Sequence, residues 1–187
     1  MRRFLRNRRA LGTPVANLIV ITAAVLLSLT VTTFAMNVTT SQVQKESMYI
    51  ASSNIWYANS TYSTCAIAVT NTGPTDIVLT KIVVKGLQCA WNGSTNFVVY
   101  NKINQTLPGD LPYIADLTNG NNTITIGNQP YVFTVAGEGL TLKSGWTIMF
   151  YITIPDRVMV YDLGQPVRIV ISTTQAIYCS ETNVQTA

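Results

Sequence analysis

The chain has 187 residues, of which 48% are apolar and only 11% charged, a balance too apolar for a disordered segment and too poor in charge for an ordinary cytosolic enzyme. Histidine is absent, which removes the commonest general base and metal ligand, and three cysteines cannot build a dense disulfide scaffold. The net charge of +4 is local: Arg2, Arg3, Arg6, Arg8 and Arg9 crowd the start, and seven basic residues face eight acidic ones in the remainder. Basic residues are therefore not spread over a folded face, and nucleic acid is excluded as the expected partner.

No charged residue occurs from Ala10 to Gln44. Within that span Pro14 to Met36 is 23 residues of mainly apolar character, enough to cross a hydrocarbon core of about 30 Å as a helix. Pro14 suits the first turn of such a helix. Ser28, Thr30, Thr32 and Thr33 can return their hydroxyls to carbonyls one turn back. The arginines in front would hold the N-terminus in the cytoplasm. Three processing schemes compete. The segment is an uncleaved anchor, or a secretory signal cut after Ala35 in Thr33-Phe34-Ala35, or a leader cut ahead of the apolar run.

The third scheme rests on a resemblance. The run Arg8-Arg9-Ala10-Leu11-Gly12-Thr13-Pro14-Val15 resembles the start of archaeal type IV pilin-like proteins: a short basic leader, a basic residue followed by Gly or Ala at the cut, then a Ser-Pro-Val-like opening to a long apolar helix. The resemblance implies cleavage by a prepilin peptidase at Arg9-Ala10-Leu11, giving a mature chain that starts at Leu11. Leu11 and Gly12 lie between the matched elements, so a cut between Gly12 and Thr13 is the alternative. Bacterial pilins carry an acidic residue near the start of the mature helix; here the first is Glu46.

Beyond the apolar run, Phe34, Val38, Met48, Ala51 and Ile55 recur at loose helical spacing, and the helix is expected to continue to about Trp56. After Tyr62 the period becomes two, with Cys65, Ile67 and Val69 alternating. Strands are expected at Ile77–Lys85, Asn96–Lys102, Asn122–Ile126, Tyr131–Val135, Trp146–Ile154 and Val167–Thr174. Turn residues at 71–76, 108–110, 119–121, 144–145 and 164–166 separate them. The expected fold class is α+β: a long N-terminal hydrophobic helix followed by an antiparallel immunoglobulin-like β-sandwich. The expected divisions are a leader at 1–10, a transmembrane or filament-core helix at 11–58, and an extracellular β domain at 59–187. The Ala66–Lys85 phrase, and Leu142 to Gly145 before a strand closed by Ile154-Pro155, resemble the β domain of archaeal pilins and archaellins.

Catalytic sets are not found. Without histidine there is no Ser-His-Asp or Cys-His arrangement, and no phosphate loop, dinucleotide glycine pattern or zinc spacing appears. Neither enzyme activity, cofactor nor resident metal is expected. Asp76, Asp110, Asp116, Asp156 and Asp162 read as turn residues, with a calcium site from Asp110 and Asp116 as the functional alternative. Sequons occur at Asn37, Asn59, Asn92, Asn104 and Asn121, which fits an exported, sugar-coated glycoprotein. Cys65 opens the first strand and Cys89 follows the second, so a Cys65–Cys89 disulfide is favoured; Cys89–Cys179 and buried thiols are the alternatives. The family resemblance implies an extracellular filament subunit for adhesion, attachment or motility. Its implied partners are the peptidase, the pilus assembly machinery, the membrane and further copies of the chain, joined through the helix. The rival is a monomeric, membrane-anchored extracellular binding module.

Overall fold

The structure, a computed structural model, describes residues 8–43, 45–155 and 158–187, apart from the side chains of 8–11 and 41–43. It divides into two units, Met1–Gln44 and Lys45–Ala187. The first holds one helix, α1 (Arg8–Val43), 36 residues long. Alanines and leucines supply the helix propensity among many β-branched Val, Ile and Thr, and the apolar character runs all the way round rather than along one stripe. Pro14 lies inside this helix rather than in its first turn. Its missing N–H leaves the Ala10 carbonyl without the donor one turn on.

The second unit is a mixed sheet of eleven strands: β1 (Met48–Asn59), β2 (Tyr62–Asn71), β3 (Ile77–Val84), β4 (Leu87–Gln88), β5 (Val98–Ile103), β6 (Asn122–Ile126), β7 (Gln129–Val135), β8 (Leu140–Leu142), β9 (Thr147–Thr153), β10 (Pro166–Thr173) and β11 (Ile177–Thr186). The strand order is β4-β3-β10-β11-β1-β2-β9-β5-β7-β6, with β8 also on β3. The coarse class is therefore α+β, as expected. All seven strands read from the alternation and the turn residues are present. The sheet is not purely antiparallel, because β1 runs parallel to β11 through Ile55↔Val184 to Tyr57↔Thr186.

The helix does not reach Trp56. It ends by Val43, and residues 48–59 are strand β1. β1 pairs with β2 from Met48↔Asn71 to Asn59↔Tyr62, interrupted by two irregularities. The neighbours Ile55 and Trp56 are both buried, and they enter different cores. Only the two-residue period of a strand sends adjacent side chains to opposite faces. The boundary between units thus falls at Gln44/Lys45, and the expected division at 58/59 would separate β1 from the sheet it belongs to.

Two cores account for the long apolar runs. Cys65, Ile67 and Val69 of β2 join Ile148, Phe150 and Ile152 of β9 in the first, together with Leu79, Ile82, Ile169 and Ile171 of β3 and β10. The alternate residues Ala66, Ala68, Met149 and Tyr151 face the second, which is closed by Leu111, Leu117, Ile124, Ile126 and Phe133. β9 is consequently buried along its whole length, as a strand covered on both faces must be. Phe133 meets Tyr151 edge-on at 5.3 Å between ring centres, and the Tyr151 hydroxyl donates to the Pro112 carbonyl at 3.0 Å. The expected turn after β2 is tied by buried Asn71, whose amide donates to the Thr75 and Leu142 carbonyls and whose Oδ1 accepts from the Gly73 N–H. A Cβ on Gly73 would stand 2.8 Å from the Ser47 nitrogen, so this close approach needs glycine.

Candidate assembly helix and the surface of the β domain

Gly12–Thr40 of α1 is 29 residues with a mean hydropathy of 2.3, long and apolar enough to cross a membrane, and none of its most apolar window is buried within the chain. Leu27 and Leu29, about 200° apart around the helix, are 70% and 60% exposed. Six threonine hydroxyls on this surface are taken up by the helix itself. Thr22, Thr30, Thr32, Thr33, Thr39 and Thr40 each donate a hydroxyl to a carbonyl three or four residues back, at 2.8–3.0 Å. The backbone groups are satisfied by the helix itself, so the whole cylinder is compatible with hydrocarbon. Ala24, Ser28 and Thr32 recur every fourth residue, which places small side chains in one row where a second helix can approach closely. The expected cut at Arg9-Ala10-Leu11 falls where the backbone is helical. The side chains at that cut, and residues 1–7 of the leader, lie outside the described residues.

The β domain brings few of its chemically active groups together. Among the described residues no cluster of three His, Cys, Asp or Glu could hold a metal. Asp110 and Asp116 are both exposed and line separate depressions, one with Tyr49, Thr70 and Leu107, the other with Asn59, Tyr62 and Tyr113. They do not form the calcium pair that the sequence allows. Asp156 lies outside the described residues.

Cys65 and Cys89 are both buried in the first core, where burial pushes the Cys65 thiol up and the nearby Cys89 adds to the shift. The structure holds them as thiols rather than a bridge. Cys179 is exposed on β11. The Cys89 N–H bonds to Ile82 of β3, while β11 lies beyond β10, so three strand spacings separate Cys89 from Cys179. At about 4.8 Å per spacing that is roughly 14 Å, twice the reach of a disulfide. The Cys89–Cys179 alternative is thereby removed.

The sequons are scattered. Asn37 is in α1, Asn59 ends β1, Asn92 precedes β5, Asn104 follows it, and Asn121 precedes β6. Asn59 differs from the others: the Thr61 N–H and O–H both bond to its Oδ1, at 2.9 and 2.7 Å.

One surface feature was not legible in the sequence. Met159, Val160 and Tyr161 are exposed by 53%, 48% and 86%, on a short 3-10 turn at Val160–Asp162. The turn is clamped. The Asp162 carboxylate accepts the Lys85 ammonium through both oxygens at 2.7 Å and the Met159 N–H at 2.8 Å. The following Leu163 bridges Val184 of β11. Three consecutive apolar residues look like core from the sequence, and only their tertiary placement reveals the exposed ledge.

Burial works against ionisation of Asp162, but the hydrogen bonds from Lys85 and Met159 and the charge of Lys85 outweigh it and hold the carboxyl below its ordinary value. The sign follows. Unfolding in acid takes up a proton that the folded carboxyl resists, so the contribution is complete above about pH 4 and is lost as pH falls through the folded value. Asp162→Asn is expected to cost about 1–2 kcal/mol at neutral pH, discounted for the partly exposed Lys85. Denaturant midpoints of wild type and variant should converge in acid; a gap independent of pH would show that the clamp is not electrostatic.

No protein-family model matches the chain, and no curated protein is similar to it at a significant level.

Proposed function

We propose that the chain is a subunit of an extracellular filament of the type IV pilin-like kind, assembled through α1. The observation that carries this reading is the 29-residue apolar cylinder with no side of its most apolar window buried. Water cannot cover such a surface at tolerable cost, so it must lie in lipid or against other helices. Before assembly α1 holds the precursor in the membrane with its arginine-rich end in the cytoplasm and the β domain outside. A prepilin peptidase removes the leader, and the assembly machinery transfers the helix from lipid into a bundle of like helices. The β domain then forms the outer surface and supplies adhesion, attachment or motility. The shared core of β2 and β9 with β3 and β10 supports reading this domain as an immunoglobulin-like sandwich with added strands.

The mature N-terminus tests the reading. Protein isolated from its own cells should begin at Leu11, or at Thr13 if the alternative cut is used, by intact mass and N-terminal sequencing. A start at Met1 would leave five arginines on the helix and a large cost to moving it out of the bilayer. The anchored-module reading would then replace this one. A start after Ala35 would remove the apolar helix and end both.

A further inference from the structure

We infer that Asn59 carries an N-linked glycan, and that this glycan covers the Met159–Tyr161 ledge. The inference rests on the exported topology proposed above and not on filament assembly. Asn59, Ser60 and Thr61 form the exposed turn between β1 and β2. Within that turn the Thr61 hydroxyl donates to the Asn59 Oδ1 at 2.7 Å and the Thr61 N–H donates to the same oxygen at 2.9 Å. Both bonds draw on the carboxamide oxygen of this exposed residue and leave Nδ2 with no acceptor among the described residues. The reaction has a simple balance. Nδ2 attacks the anomeric carbon of a sugar carried on a lipid phosphate or pyrophosphate, bound by a membrane glycosyltransferase. The new N–C bond forms as the sugar C–O bond breaks, the electron pair leaves with the phosphate, and the amide gives up one proton.

The other sequons lack this arrangement among the described residues. The Thr39 hydroxyl, two residues after Asn37, is spent on the Ala35 carbonyl inside α1. The Asn92 Oδ1 accepts from the Asn119 side chain instead. Asn104 and Asn121 are exposed but make no bond to their own downstream hydroxyls. The bond at Asn59 spans two residues, so it forms with the hairpin and needs no distant partner.

The second observation is independent. Ser60, the middle residue of the sequon, lines the same depression as Tyr57, Val158, Met159, Val160 and Tyr161. The ledge cannot fold away, because Asp162 and Leu163 fix it to Lys85 and β11. Clamped, exposed apolar side chains mark a surface that something covers. A sugar ring suits this one: its C–H face lies against an aromatic ring while its hydroxyls stay in water, and a chain rooted at Asn59, whose own side chain lines the adjoining depression with Tyr62 and Tyr113, reaches it across the one intervening residue, Ser60.

The test uses full-length protein from its own cells, digested and read by mass spectrometry. The peptide containing Asn59 should carry a saccharide mass, lost in Asn59→Gln and Thr61→Ala and kept in Thr61→Ser, which retains the hydroxyl. Asn59→Gln should also bind more of an apolar fluorescent dye than wild type, and adding Tyr161→Ser should remove the increase. A bare Asn59 peptide overturns the inference whatever the other sequons carry, as does modification that survives Thr61→Ala. Unchanged dye binding in Asn59→Gln overturns the covering role. A bare Asn59 on protein that starts at Leu11 defeats this inference alone. A decorated Asn59 on protein that starts at Met1 defeats the filament reading alone.

Discussion

Ala24→Asp is expected to abolish filaments while leaving the subunit in the membrane fraction. Ala24 stands in the middle of the apolar cylinder, in the row of small residues with Ser28 and Thr32. An aspartate at the centre of a spanning helix costs about 2.5–3.5 kcal/mol on insertion, which the many remaining apolar residues can absorb. In a packed bundle of helices the same carboxylate meets no cation, and the nearby threonine hydroxyls are already committed to their own helix. Burying it unpaired costs several kcal/mol in each subunit, and every 1.4 kcal/mol weakens association about tenfold. Ala24→Ser, small and able to bond back to its own helix, should assemble normally. Electron microscopy of sheared filaments, with the membrane fraction probed in parallel, reads both outcomes. Normal filaments from Ala24→Asp would mean that α1 is not the assembly element.

Removal of β1 is expected to unfold the β domain. A fragment covering 45–187 keeps all eleven strands and both cores. A fragment covering 60–187 loses the strand that stands between β11 and β2, and with it buried Ile55 and Trp56, one from each core. Large-to-small changes at such positions cost about 2–5 kcal/mol each, and the total stability of a domain is only about 5–15 kcal/mol. Two sheet edges are also left without partners. Circular dichroism and denaturant titration should show cooperative unfolding for 45–187 and none for 60–187, with full-length Ile55→Ala lowered by about 2–5 kcal/mol. A folded 60–187 would mean that β1 is an addition to the domain and not part of it.

The strands that were legible share one property: each is a short apolar or alternating run bounded by turn residues. β2, β3, β9 and β10 are short apolar runs between Asn, Gly, Pro and Ser, and the turn chemistry at Asn71 and Gly73 works as those residue types require. β11 escaped notice because Ile177–Thr186 is largely polar and alternates between exposed and half-buried until Val184. Its place is set by β10 on one side and the end of β1 on the other. β1 was misread for a related reason. Its apolar residues are split by Ser52, Ser53 and Asn54, and positions 48, 51 and 55 fall at a helical spacing; in the strand Met48 and Ile55 are buried while Ala51 stays exposed at the irregularity between Ile50 and Ser52.

For this protein the sequence by itself determined what is local or cumulative. It located the apolar helix by length and lack of charge, the main strands by their period, the turns by their residue types, and the lack of any histidine-based chemistry by composition. Tertiary structure alone decided where the helix gives way to strand, because β1 is held by pairing with β2 and β11 rather than by its own propensity. It alone set Cys179 apart from Cys89, because strand order sets their distance, and placed Cys65 and Cys89 in one core. It also singled out Asn59 and the Met159–Tyr161 ledge, since exposure and proximity between residues a hundred positions apart exist only once the sheet has closed its two cores.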